Sequence, residues 1–92
     1  MIASFTDKDT ADLFAGKRVK RFANIASIAE RKLQQLDSAA KLEALRAPPG
    51  NRLEKLSGDR AGQHSIRIND QWRLCFVWKE DGVYDVAIVD YH

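Results

Sequence analysis

Ninety-two residues, 45% of them hydrophobic and 30% charged, argue for one small domain spanning residues 1–92, with enough apolar matter for a core and too much for a disordered chain. The net charge of +2 is mild, but between Arg46 and Arg73 six cations stand against three acids, so any attraction to a polyanion is local. The single cysteine excludes an internal disulfide and a cysteine-rich metal site. The absence of a basic-then-apolar leader or an apolar run of membrane length points to a cytoplasmic protein with no membrane partner.

Met1–Phe5 reads as a short first strand. Thr6 or Asp7 is placed to cap a helix over about residues 7–15, with Leu13 and Phe14 buried and Gly16 as its stop. Lys17, Arg18, Lys20 and Arg21 then put four cations into five residues, a solvated run or a contact for nucleic acid. From Asn24 to about Leu36, Ile25, Ile28, Ala29, Leu33 and Leu36 recur at three- and four-residue intervals, the stripe of an amphipathic helix. Asp37 or Ser38 can cap a further short helix carrying Leu42 and Leu45, which Pro48-Pro49 must end.

The rest of the chain reads as strands. Arg52–Ser57 is a short one, followed by a Gly58–Gly62 turn. Residues 64–68 and 72–78 alternate, joined at Asn69-Asp70. Trp72, Leu74, Phe76 and Trp78 share a core face with Ile66 and Ile68 on their neighbour. Ser65, Arg67, Arg73 and Cys75 fall on the other side. Asp81-Gly82 signals a hairpin, after which Tyr84, Val86 and Ile88 alternate with Asp85, Ala87 and Val89. The expected fold class is α+β, with helices on one face of a mainly antiparallel sheet.

No phosphate-cradling glycine loop, zinc spacing or nucleophile elbow occurs, and His64 and His92 are too few and too far apart for a metal site. What remains is an arginine-bearing sheet face and the cluster Asp90-Tyr91-His92. Histidine and carboxylate suit the proton transfers of RNA cleavage through its own 2′-hydroxyl, and arginine suits the extra phosphoryl charge. The same residues also describe a solvated, polar surface. Both readings stand on the residues alone.

The opening Met1-Ile2-x-Ser4-Phe5, the central Leu53-x-x-Leu56-x-Gly58-Asp59-Arg60, the Ser65-Ile66-Arg67-x-Asn69-x-x-Trp72-Arg73 run and the closing Asp90-Tyr91-His92 together resemble HigB toxins of the RelE superfamily. Pro48–Asn51 and Arg60–Ser65 are most similar to GraT-like members. The resemblance implies a RelE-like fold and an endoribonuclease that cleaves mRNA in the ribosomal A site, without a metal or other cofactor. It implies a helix-turn-helix antitoxin as partner, with operator DNA reached only through that antitoxin. Within that family Asp90, Tyr91 and His92 correspond to the catalytic centre, and Arg73 to the arginine that stabilises phosphate charge. Lys55, Arg60 and Arg67 are then expected on RNA phosphates, and Lys17, Arg18, Lys20 and Arg21 on the ribosome. Glu54 stands where many HigB toxins have a histidine; a carboxylate accepts a proton but at neutral pH has none to give. A catalytically weak or inert RNA- or protein-binding module, acting with the antitoxin as corepressor, is the alternative.

Overall fold

In the computed structural model, which describes residues 1–91, four antiparallel strands carry helices on one face. Met1–Phe5 comes first, extended along the last strand. Helix α1 (Lys8–Phe14) follows, then α2 (Ala26–Ser38), and then strands β1 (Glu54–Lys55), β2 (His64–Arg67), β3 (Trp72–Lys79) and β4 (Gly82–Asp90). The spatial order of the strands is their chain order, every pair antiparallel. Short 3₁₀ turns fill the gaps at Lys20–Phe22, Leu42–Arg46, Pro49–Asn51 and Gly58–Arg60.

Asp7 is the cap of α1, its carboxylate accepting the Thr10 backbone N–H at 2.7 Å, which satisfies one of the amides that a helix start leaves open. Thr10 is fully buried. Its hydroxyl donates to Asp7 at 3.0 Å and accepts the Ile88 N–H at 3.1 Å, so one side chain closes the helix start and pins it to β4. Leu13 is buried, whereas Phe14 is partly exposed and packs on Phe5, ring centroids 5.7 Å apart. Helix α2 buries Ala29, Leu33 and Leu36, the predicted stripe, while Ile28 lies at its margin. These meet Phe22, Leu45, Ile66, Ile68, Leu74, Phe76, Val83, Val86 and Ile88 in one core.

Five expectations are revised. Asp37 and Ser38 do not cap the next helix: nothing between Leu36 and Ala39 breaks α2, which runs through both. Asp37 instead accepts the Ile2 N–H at 2.8 Å, and Ser38 donates back to the Gln34 carbonyl at 2.9 Å. The Arg52–Ser57 strand shrinks to two paired residues, because Arg52 takes a left-handed conformation at φ 45°. The alternation of β4 is also broken. Between Ala87, opposite Cys75, and Tyr84, opposite Val77, the strand holds one residue more than its partner, and Asp85 takes φ 54°. This bulge puts Val83, rather than Tyr84, on the face of Val86 and Ile88.

The hairpin loop, finally, is Glu80-Asp81, since Gly82 already pairs with Lys79. A Cβ on Gly82 would meet the Met1 carbonyl at 3.3 Å and Ala3 at 3.4 Å; glycine is what lets the first residues close on β4. Ala3 N–H donates to Val83 at 2.7 Å and Thr6 N–H to Val86 at 3.1 Å. The predicted first strand is thus two parallel bridges, at Ile2 and Phe5.

Candidate functional site

With the helices on one side, the other face of the sheet carries the arginines. Register sets Arg67 directly opposite Arg73, and Ser65 opposite Cys75. Like charges facing across a ladder repel, and each is managed differently. Arg67 forms an ion pair with Asp70 in the Ile68–Gln71 connection. That loop is wider than the expected two-residue turn: both Ile68 and Asn69 donate to the Trp72 carbonyl, and the Asn69 side chain accepts the Gln71 and Trp72 amides at 2.8 Å each.

Arg73 is only 9% exposed. Its Nε donates to Ser65 Oγ at 2.8 Å, and its Nη2 donates to the Arg52 carbonyl at 2.7 Å and the Ser65 carbonyl at 3.4 Å. The Glu54 carboxylate stands 4.0 Å from Nη2. Tyr91 follows β4 on the same face, its N–H bonded to the Gln71 carbonyl at 2.7 Å and its ring 6.0 Å from the Arg73 guanidinium carbon. Arg52, Glu54, Arg67, Arg73 and Tyr91, with Asn69 and Asp70 at the rim, line an open polar cleft of about 300 Å³.

Burial raises the Tyr91 phenol above its usual pKa, with the Cys75 thiol beside it, 3.9 Å away, adding to the shift. Burial likewise raises the Cys75 thiol. The phenol is therefore a neutral O–H donor at physiological pH, and the thiol is unreactive.

The other predicted residues are dispersed. Asp90 pairs across the ladder with Trp72 and so falls on the helix-bearing side, its carboxylate accepting Gln71 Nε2 at 3.1 Å. His92 lies outside the described residues. Arg60 hydrogen-bonds Gln63 at 3.3 Å, and its charge reaches Tyr91 and Cys75. Lys55 belongs to a separate hollow with His64 and Arg46. Lys17 and Arg18 line a groove of about 430 Å³ with Leu13, Val19 and Ala26. Arg21 has a packing role, its guanidinium 4.6 Å over the Phe22 ring and bonded at 3.4 Å to both Asp9 and the Ile88 carbonyl. Lys20 is exposed. Among the described residues no group of three His, Cys, Asp or Glu is placed to hold a metal, and no helix is long and apolar enough to cross a membrane.

Three residues that support Arg73, directly or through the turn beside it, carry no signal of that role in the sequence. Ser65 was placed on the arginine face by alternation, but nothing in its identity marked it as a partner of Arg73. Arg52 was counted among the cations, while its left-handed backbone had no signal beyond the preceding Pro-Pro-Gly-Asn. Asn51, fully buried, donates to the Leu45 and Ala47 carbonyls and to Gln35, each at 3.1 Å, and accepts from Lys32.

Residues 3–92 match the HigB-like toxin family, described as RelE-like toxin of type II toxin-antitoxin system HigB. Toxin HigB-1 of Vibrio cholerae serotype O1 is 39% identical over 94 residues, covering 100% of this chain and 98% of that one. An uncharacterised protein of Haemophilus influenzae is 33% identical over 66 residues, 72% of this chain and 65% of its own. Among solved structures, the YoeB–YefM complex from Staphylococcus aureus superposes with a TM-score of 0.62 at 18% identity, covering 100% of this chain and 98% of that chain. The YoeB dimer of the same organism gives 0.58 at 21%, with 100% and 97% covered. At such identities the structures speak for the fold alone, which is RelE-like. The sequence match carries more, and by it the chain belongs to the HigB family of RelE-like toxins of type II toxin–antitoxin systems.

Proposed function

We propose that this toxin is a ribosome-dependent mRNA endonuclease. The observation that supports it most is the cleft on the outer sheet face, where a largely buried guanidinium, a neutral phenol and a carboxylate adjoin two further arginines. In the reaction the substrate's 2′-oxygen forms a bond to phosphorus while the bond to the 5′-oxygen breaks, leaving a 2′,3′-cyclic phosphate and a 5′-hydroxyl. Arg73 stabilises the added phosphoryl charge, as a fixed cation in a partly dry site does best. Tyr91, protonated, gives its proton to the departing 5′-oxygen. Glu54 accepts the 2′-hydroxyl proton, in the position where many HigB toxins have histidine. Arg67 and Arg52 hold the flanking phosphates, with Arg60 beside them. Lys17, Arg18, Lys20 and Lys55, and the outward side of Arg21, face ribosomal RNA. His92 and Asp90 complete the expected closing motif, Asp90 acting through Gln71, which it binds by the side chain and whose carbonyl holds the Tyr91 N–H. A small helix-turn-helix antitoxin holds the toxin in check, and operator DNA is met only through it.

Primer extension on an mRNA under translation tests the proposal. Wild-type toxin should give discrete cleavage within codons in the presence of ribosomes, and Arg73→Ala should lower the rate by about 10²–10³. A wild type that binds ribosomes yet leaves the message intact would establish the inert binding module instead.

A further inference from the structure

The donors of Arg73 are divided unevenly. Nε and Nη2 are taken by the protein, while Nη1 makes no hydrogen bond to a described residue and is not among the buried side-chain atoms left without a partner. The acceptors are neutral: one serine hydroxyl and two backbone carbonyls. Neutral acceptors fix the plane of a guanidinium without cancelling its charge, whereas a bidentate carboxylate would do both. Glu54, at 4.0 Å and half-exposed, is too distant for such a pair.

We propose that Ser65, with the backbone carbonyl of Arg52, is a positioning device for Arg73, locking the fork so that its Nη1 edge is presented to the scissile phosphate. This rests on the nuclease reading above. Ser65 is fully buried and diagonal to Arg73 across the β2–β3 ladder, a separation that a long side chain spans. The second arm is built at some conformational cost. Arg52 holds φ 45° and ψ 60°, a region that residues with a Cβ avoid, and in that state its carbonyl reaches Nη2 at 2.7 Å. The turn before it is anchored by the Asn51 side chain, bound to Leu45, Ala47, Gln35 and Lys32. The device therefore runs from α2 through Asn51 and Arg52 to Nη2 of the guanidinium, with Ser65 holding Nε beside it.

The test uses full-length Ser65→Ala and Ser65→Thr, each alone and with Arg73→Ala. Ser65→Ala should lower kcat about 10- to 100-fold with KM unchanged, Ser65→Thr should restore most of it, and Ser65→Ala should cost nothing further once Arg73 is alanine. Nitrogen-15 NMR supplies a readout independent of activity: the Arg73 Nε–H should exchange slowly in wild type and in Ser65→Thr, and rapidly in Ser65→Ala. A folded Ser65→Ala that cleaves at the wild-type rate, or that keeps a protected Arg73 Nε–H, overturns the proposal. So does a loss that adds in full to that of Arg73→Ala. A wild type that does not cleave removes the nuclease reading, and this role with it. A cleaving wild type with an unaffected Ser65→Ala removes Ser65 alone.

Discussion

Two arginines facing one another across hydrogen-bonded strands are costly unless something compensates them, and here the compensation is asymmetric. Arg67 takes the exposed carboxylate of Asp70 in a surface ion pair. Arg73 takes a hydroxyl and carbonyls and stays a cation. Alternation alone put both on the outer face, since a strand's side chains change sides at every residue; it could not say that they would lie in register or what each would bind. His64 shows the same division. Sequence offered it no role, whereas in the fold it stacks on Phe76 at a centroid distance of 6.3 Å, with Nδ1 buried and unpartnered. Burial first, and the Lys55 charge second, lower its pKa from 6.5. A histidine with a depressed folded pKa contributes stability above its unfolded value and loses it as pH falls through the folded one. Urea midpoints should therefore decline on acidification below about 6.5, and His64→Gln should flatten that decline. Parallel curves for the two proteins would show that His64 is uninvolved.

Among the elements, the well-patterned ones were legible. The stripe in α2 and the alternation of β2 and β3 express periods that only one structure satisfies. The misjudged elements depend on one residue in an unusual conformation or on a distant partner. Asp85 breaks the period of β4 through its left-handed backbone, and Arg52 shortens β1 in the same way. Asp37 looked like a cap and became an anchor for the first residues, 35 positions away in the chain. Asn51 carries the largest consequence at this scale. Its amide holds the Leu45 and Ala47 carbonyls and joins them to α2 through Gln35 and Lys32. Asn51→Ala leaves the buried Leu45 carbonyl without this donor and should cost about 1–3 kcal/mol, a thermal midpoint lower by roughly 5–15 °C. A fall of a degree or two would mean that the turn holds without it.

At the scale of the whole molecule, the helices cover one sheet face and leave the other to the cleft, while Lys17–Arg21 lies on the helical side beside its own groove. The modest net charge is thus spread over two surfaces, which the proposed function assigns to ribosomal RNA and to mRNA. On the proposed function, ribosome affinity should fall steeply with salt, and removing a cation proposed to contact phosphate, Arg18 or Arg67, should lower the log–log slope by about 1. A slope indifferent to both substitutions would take those residues off the RNA path.

By itself the sequence determined the fold class, the core stripe of α2, the core face of β2 and β3, and the side of the sheet on which the arginines stand. All of these follow from periodicities of 3.6 and 2 that burial enforces on any chain of this pattern. Tertiary structure alone decided that Ser65 and the Arg52 carbonyl hold Arg73, that Tyr91 shares its face while Asp90 does not, and that the basic run stands apart from the cleft. Those facts depend on register, on two left-handed residues and on contacts between distant segments, and no local pattern encodes them.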